Sequence, residues 1–179
     1  MRIKGDLLNF RTQESIFPYI QKNLDDIITI KDEELIVAFL DMVENHKMVV
    51  ENSGLLSVAA LDHMKVKNKR IVSILSGGNM DVITMSSVVS QGLIMRDRIF
   101  TVSVLLPDKP GQLSAVAGVI AKENGNVIKL EHNQFVSTNR NAAVELRITL
   151  EAFGTEHKNK ILNSLEKGGY MPKIVRTSI

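Results

Sequence analysis

Apolar residues recur along this chain with two different periods, and the places where one period gives way to the other mark out its elements. Behind the acidic start Asp32-Glu33-Glu34, the positions Leu35, Ile36, Phe39, Leu40 and Val43 follow a three-to-four spacing. That spacing predicts a helix with Asp32 as its cap. The run Met48-Val49-Val50 predicts a short buried strand ending in the turn Glu51-Asn52-Ser53-Gly54, and residues 55–64 read as a helix. Residues 70–75 (Arg-Ile-Val-Ser-Ile-Leu) predict the next strand, Ser76-Gly77-Gly78-Asn79 a turn, and residues 81–92 another helix. Strands alternating with helices imply a parallel sheet covered by helices. Two or three strands are too few to build such a sheet with both faces covered, so the first half reads as incomplete by itself.

The pattern changes at Met95-Arg96-Asp97-Arg98, which sets a domain boundary between residues 1–97 and 98–179. Beyond it come a strand over 99–106, a Pro-Gly turn over 107–111 and a helix over 112–122. Glu123-Asn124-Gly125-Asn126 ends that helix, with Gly125 expected in the left-handed position past its end. A strand over 127–136, a hairpin at 137–141 and a return strand over 142–150 follow, the last alternating through Ala143, Glu145, Arg147 and Thr149. A helix over 155–167 and a strand over 170–175 complete a βαββαβ order, the ferredoxin-like split unit. The expected fold class is α/β: a partial parallel-sheet segment, then a βαββαβ domain.

Composition narrows the chemistry. The chain is 44% apolar with only 4% aromatic residues and no Trp, so its cores are aliphatic. Cys is absent, which removes disulfides, thiolate metal sites and cysteine nucleophiles. His46, His63, His132 and His157 have no metal-ligand spacing. Residues 1–98 carry 12 basic against 13 acidic side chains and residues 99–179 carry 10 against 7, for −1 and +3. Neither half bears the clustered basic footprint of a nucleic-acid binder. No apolar stretch approaches bilayer length and no signal-peptide pattern opens the chain. The expectation is a soluble, cytoplasmic protein without nucleic-acid or membrane partners.

The most informative motif is Leu75-Ser76-Gly77-Gly78-Asn79. A strand ending this way puts a hydroxyl and exposed amides at the carboxyl edge of a parallel sheet, where ligands of α/β proteins bind. Two glycines there permit positive φ and close approach of a flat or anionic ligand. Read alone, it is more readily a Gly-rich turn with Asn79 or Asp81 capping the next helix. Together with Val49-Val50-Glu51-Asn52-Ser53-Gly54 some 20 residues upstream, and with Phe17-Pro18-Tyr19-Ile20-Gln21-Lys22 and Asp25-Asp26-Ile27 before that, it resembles the end of the catalytic domain of threonine ammonia-lyases, enzymes dependent on pyridoxal phosphate. The resemblance implies that Ser76 hydrogen-bonds the cofactor's pyridine nitrogen, that Gly77, Gly78 and Asn79 shape the turn, and that Glu51 lies near the cofactor ring. Asn52 departs from the small residue or proline usual after that glutamate. A neutral hydroxyl on the ring nitrogen makes a weaker electron sink than a carboxylate partner does, which favours elimination of a β-leaving group over transamination. The family's cofactor-bearing lysine lies in an N-terminal Ser-Phe-Lys-like motif that has no counterpart here; Lys65, Lys67 and Lys69 read as a solvated turn. The resemblance therefore covers nearly all of this chain but about the C-terminal half of the family's architecture, and implies a fragment, a truncated frame or one piece of a split protein.

A second motif, Asp108-Lys109-Pro110-Gly111-Gln112-Leu113, resembles the Asp-x-Pro-Gly-x-Leu signature of ACT domains, and Gly125-Asn126-Val127 the start of their second strand. A helix opening at Gly111 suits a carboxylate, Asp108 suits an α-ammonium, and Asn126 is expected to complete the site from a neighbouring copy. The resemblance implies an amino-acid effector, isoleucine or valine, and a homo-oligomer built through this domain. Glu131 and His132 are expected to face solvent or an interface, and Met80, Met85 and Met95 to fill cores. Two readings remain open: the C-terminal part of a threonine ammonia-lyase, inactive by itself until a lysine-bearing half completes it, or a free-standing amino-acid-sensing subunit without chemistry of its own.

Overall fold

A computed structural model of the protein describes residues 17–133 and 144–178. The expected hairpin at 137–141, the strand end at 134–136 and residues 142–143 lie outside them. The chain divides into two compact units, residues 1–92 and 93–179, each described by itself.

The first unit is helical. It contains α1 (Phe17–Asn23), α2 (Asp32–Asp41) running into a π-helical turn (Met42–His46), α3 (Asn52–Ala59) closing in a 3-10 turn (Ala60–His63), and α4 (Val82–Met95), whose last turn passes into the second unit. Asp32 lies inside α2 and does not cap it; Lys31 is the cap residue. The Glu34 carboxylate reaches back to accept from the Lys31 N–H (2.7 Å), closing the first turn from its third residue. That bond and the His63 ring, 2.6 Å away, hold the Glu34 carboxyl below the usual range. The apolar stripe of α2 packs Leu35, Ala38 and Phe39 against Leu55, Leu56, Ala59 and Ala60, with Val50 and Val88 completing the core and Met80 and Met85 packed on it. Met95, by contrast, is exposed.

The two strands expected here do not form. Residues 48–50 and 70–75 run without any ladder, and this unit holds no strand among the described residues. The apolar patterning is real, but a strand is defined by a neighbour to bond with, and the described part of this unit supplies none. The expected parallel-sheet segment is therefore not formed among the described residues.

The second unit consists of β1 (Ile99–Leu106), α5 (Gln112–Lys122), β2 (Asn126–Asn133), β3 (Val144–Glu151), α6 (Thr155–Lys167) and β4 (Lys173–Val175). They form one antiparallel sheet in the order β2-β3-β1-β4. The register from Ile99↔Glu151 to Leu106↔Val144 puts Phe100, Val102, Val104 and Leu106 on the same face as Leu146, Ile148 and Leu150. Val116 and Ile120 of α5 and Ile161 and Leu165 of α6 cover that face, all essentially inaccessible. The other face is polar: Thr101 and Thr149 share a hydroxyl bond (3.0 Å), Ser103 donates to Glu145 (2.6 Å) and Arg147 pairs with Glu145 (3.1 Å). The helix α5 ends differently from expectation. Asn124 takes the left-handed conformation (φ 60°), and Gly125 is needed because a Cβ there would press on Ile120 and Ile161.

Where the second unit begins, Asp97 also sits in the left-handed region (φ 54°) and accepts from Lys158 Nζ (2.7 Å) and Thr155 Oγ1 (2.8 Å) of α6. The Lys158 ammonium, helped by the Thr155 hydroxyl, holds the Asp97 carboxyl below the ordinary aspartate range. Its stabilisation is complete above the unfolded value of about 3.9 and is lost as the pH falls through the lower, folded one. Asp97→Asn keeps the shape and tolerates the same backbone conformation. The variant is expected to unfold about 1 kcal/mol more easily than wild type at neutral pH. Urea midpoints measured across a pH series should converge below the aspartate range; a gap that stays constant on acidification would disprove the charge assignment.

Candidate functional site

Helix α3 organises the first candidate site. Its first two turns carry small residues at Ser53, Gly54 and Ser57, and the stretch 73–79 lies against them. Ser57 Oγ donates to the Ile74 carbonyl (2.8 Å), and Ser73 Oγ donates to the Ser57 carbonyl (3.1 Å). The Ser76 carbonyl is pressed so closely on Gly54 that a Cβ there would overlap it. Just before the helix, Glu51 points its carboxylate at the turn: one oxygen accepts from Ser53 Oγ (2.7 Å), the other from the Asn79 N–H (3.2 Å). Gly77 has φ +84°, and a Cβ on it would run into the same carboxylate. Gly78 faces open space.

Five residues singled out from sequence are therefore gathered in one place, with Glu51 joined to Asn79 across 28 positions of chain. The Ser76 hydroxyl is exposed and makes no hydrogen bond among the described residues. Asp81 caps α4, accepting from the Ile83 and Thr84 amides (2.9 Å each); the Thr84 hydroxyl and amide hold its carboxyl below the usual range. Sequence reasoning missed Gly54, Ser57 and Ser73. For Gly54 and Ser57 the available signal was their i, i+3 spacing, which puts two small residues on one face of an otherwise Leu- and Val-rich helix; Ser73 carried none. Lys65, Lys67 and Lys69 lie on an exposed stretch, as expected of a solvated turn.

The second candidate site is a cavity of about 340 Å³ at one end of the ferredoxin-like sheet. The turn residues Asp108, Lys109, Pro110 and Gly111 and the first residues of α5, Gln112 and Leu113, line it, with Leu106, His132, Val144 and Leu146 as its wall. Gly111 is the residue before the helix and has φ +87° with nothing near a would-be Cβ, so backbone conformation, not crowding, calls for glycine there. The start of α5 carries no side-chain cap, and its leading amides, at Leu113 and Ser114, lack intrahelical acceptors. His132, expected to face solvent or an interface, joins the cavity wall because it stands opposite Leu146 in the ladder. Glu131 points away and pairs with Lys129 (2.7 Å). Asn126 is not part of this cavity. It stands opposite Glu151, at the far end of β3 from Val144, and donates to the Glu151 carboxylate (3.1 Å). Among the described residues no cluster of His, Asp and Glu has metal-site geometry, and no helix is long and apolar enough to cross a membrane.

Residues 100–167 match the ACT domain family. Across 89% of its length the chain is 32% identical to an L-threonine ammonia-lyase of Geobacter sulfurreducens and 29% identical to one of Thermotoga maritima, covering 40% of each. A biosynthetic L-threonine dehydratase of Pasteurella multocida is 26% identical over 89% of the chain and 31% of its own length. The chain thus spans about two fifths of the length of the first two relatives and less of the third.

Three glycine substitutions separate crowding from conformation. Gly54→Ala must move the Ser76 carbonyl and should cost about 1–3 kcal/mol in the first unit. Gly111→Ala forces an L residue into the left-handed region and should cost about 1–2 kcal/mol in the second. Gly118→Ala, in mid-helix α5 with nothing near the added methyl, should instead stabilise by about 0.5–1 kcal/mol. Urea unfolding followed by circular dichroism gives all three; a stabilising Gly111→Ala would refute the conformational account.

Proposed function

We propose that this chain is the C-terminal part of a threonine ammonia-lyase, the enzyme converting threonine to 2-oxobutanoate and ammonia, and that it contributes one wall of the pyridoxal phosphate site together with an amino-acid-sensing ACT domain. The observation that carries this reading is the convergence of Glu51, Ser76, Gly77 and Asn79 in a chain aligned with threonine ammonia-lyases over most of its length. Pyridoxal phosphate, when bound, supplies the electron sink that lets a β-hydroxy amino acid lose its hydroxyl.

The residues here fit one edge of that cofactor. A bare Ser76 hydroxyl is a neutral hydrogen-bond partner for a ring nitrogen, and Gly78 leaves room for a flat ring to approach. Glu51 holds the turn by accepting from the Asn79 amide, and Ser76 in the same turn is exposed. The lysine that carries the cofactor belongs, in this reading, to the part of the enzyme that the chain does not span, so catalysis requires that part.

In residues 98–179 the effector is an α-amino acid. Its carboxylate lies over the free amides at the start of α5, its ammonium toward Asp108, and its side chain against Leu106, Val144 and Leu146. That apolar wall favours the branched aliphatics isoleucine and valine. Lys109 on the same rim gives the site both signs of charge, as a zwitterion requires. Asn126 can serve the same ligand only from a second copy, which ties this role to the homo-oligomer.

Two measurements test the reading. The chain alone should not deaminate threonine; combined with a lysine-bearing N-terminal part it should, and Ser76→Ala should then weaken cofactor retention or turnover. Calorimetry against isoleucine, valine, threonine and serine should detect binding, with Asp108→Ala costing about 1.5–3 kcal/mol, tenfold or more in affinity. Effector binding without lyase activity in any combination would leave the chain as a free-standing sensing subunit.

A further inference from the structure

Asn124-Gly125 is the one place in the sequence where glycine follows asparagine. That order carries chemistry of its own. A glycine has no side chain to shield its nitrogen, and its freedom of rotation lets that nitrogen reach the amide carbon of the preceding side chain. Here the pair forms the end of α5. Asn124 stands in the left-handed position (φ 60°), its N–H donates to the Ala121 carbonyl (3.0 Å), and the Gly125 N–H donates to the Ile120 carbonyl (3.0 Å). Those two bonds are the paired closure that ends many helices. Asn124 is exposed, and its side-chain amide makes no hydrogen bond among the described residues. The same helix end is tied to α6 through Glu123. Its carbonyl accepts from His157 Nε2 (2.6 Å), and its carboxylate accepts from Ser164 Oγ (2.8 Å) and pairs with Lys160 Nζ (3.0 Å).

We propose that Asn124 is a site of spontaneous deamidation gated by this helix end: shut while the Gly125 N–H is bonded to Ile120, and reactive when the end of α5 opens. In the open form the Gly125 nitrogen bonds to Asn124 Cγ and the Cγ–Nδ2 bond breaks. Nδ2 leaves as ammonia, carrying the proton that the Gly125 nitrogen gives up. Water then opens the five-membered ring at one of its two carbonyls, leaving either aspartate or isoaspartate at position 124. Water is the only co-reactant. Both products work against the closed end. A carboxylate at 124 stands beside Glu123 at the C-terminus of a helix, where negative charge is disfavoured. Isoaspartate also lengthens the backbone immediately before Gly125, and Gly125 has no room to shift, because it already sits against Ile120 and Ile161. A modified chain therefore recloses poorly, and the product accumulates with the time that this end of the second unit spends open. The inference stands independently of the lyase reading.

The test incubates the full chain in mildly alkaline buffer, once folded and once in urea, and reads the modified fraction at each asparagine by peptide mass spectrometry. Isoaspartate is distinguished from aspartate by fragmentation. In urea Asn124 should react faster than every other asparagine; in the folded chain it should react more slowly by about tenfold or more. Glu123→Ala removes the ties to Ser164 and Lys160 and should speed the folded reaction by about threefold or more. Its rate in urea should equal that of wild type, because the helix end is absent from both. Hydrogen exchange of the Gly125 amide, followed in parallel, should rise by the same factor as deamidation. If circular dichroism shows that Glu123→Ala unfolds the second unit, Ser164→Ala takes its place, with a smaller rise in the same direction. Equal rates for folded and unfolded wild type overturn the gate. So does a folded variant that exchanges Gly125 faster without deamidating faster, or deamidation that rises while exchange does not. An Asn124 that stays unmodified in urea overturns the site itself.

Discussion

Backbone hydrogen bonding decides which parts of this chain are finished. A strand presents N–H and C=O groups that must be bonded to something, and helices bond their own while strands bond a neighbour's. In the second unit each of the four strands pairs with a neighbour in the order β2-β3-β1-β4, and two helices close one face. Its core therefore needs nothing further. In the first unit residues 71–75 have the composition of a strand and, among the described residues, none of its ladder bonds.

The candidate cofactor turn depends on the same helix that holds this open segment. Helix α3 offers hydroxyls and a bare Cα where neighbouring turns of the core offer Leu and Val, so residues 73–76 come closer to it than an ordinary side chain would permit. Glu51 then fixes the far side of the turn through Asn79, and Asp81 starts the next helix immediately afterwards. The Ser76 hydroxyl is left outward as a consequence of these restraints. Ser76 is an exposed polar residue on a well-held backbone.

The candidate cavity of the second unit follows a different logic. There the sheet register brings together residues far apart in sequence: Leu106 ends β1, Val144 begins β3 opposite it, and His132 faces Leu146 one strand further out. The Pro-Gly turn closes this end of the sheet and aims the start of α5 into the space. Register also separates Asn126 from the cavity, because antiparallel pairing carries the beginning of β2 to the opposite end of β3.

Much of this was legible in the order of residues. The periodicity delimits α5 and α6 to the residue, and β1 as well, because their apolar positions repeat cleanly between unmistakable turns. Ser76-Gly77-Gly78-Asn79 and Asp108-Lys109-Pro110-Gly111 announce themselves because glycine takes the positive-φ angles of Gly77 and Gly111 without the cost a side chain would add. Three things needed the tertiary structure. Periodicity reports which face of a segment is apolar and says nothing of whether a neighbour exists to pair with it, so residues 48–50 and 70–75 read as strands. Capping is settled by geometry, so Lys31 with Glu34, and Asn124 before Gly125, displaced the residues that propensity favoured. The contacts of Gly54 with Ser76, of Glu51 with Asn79 and of His132 with the cavity depend on how separate elements pack. A sequence fixes its local angles and apolar faces residue by residue, but which faces meet is decided only when the whole unit has found its packing.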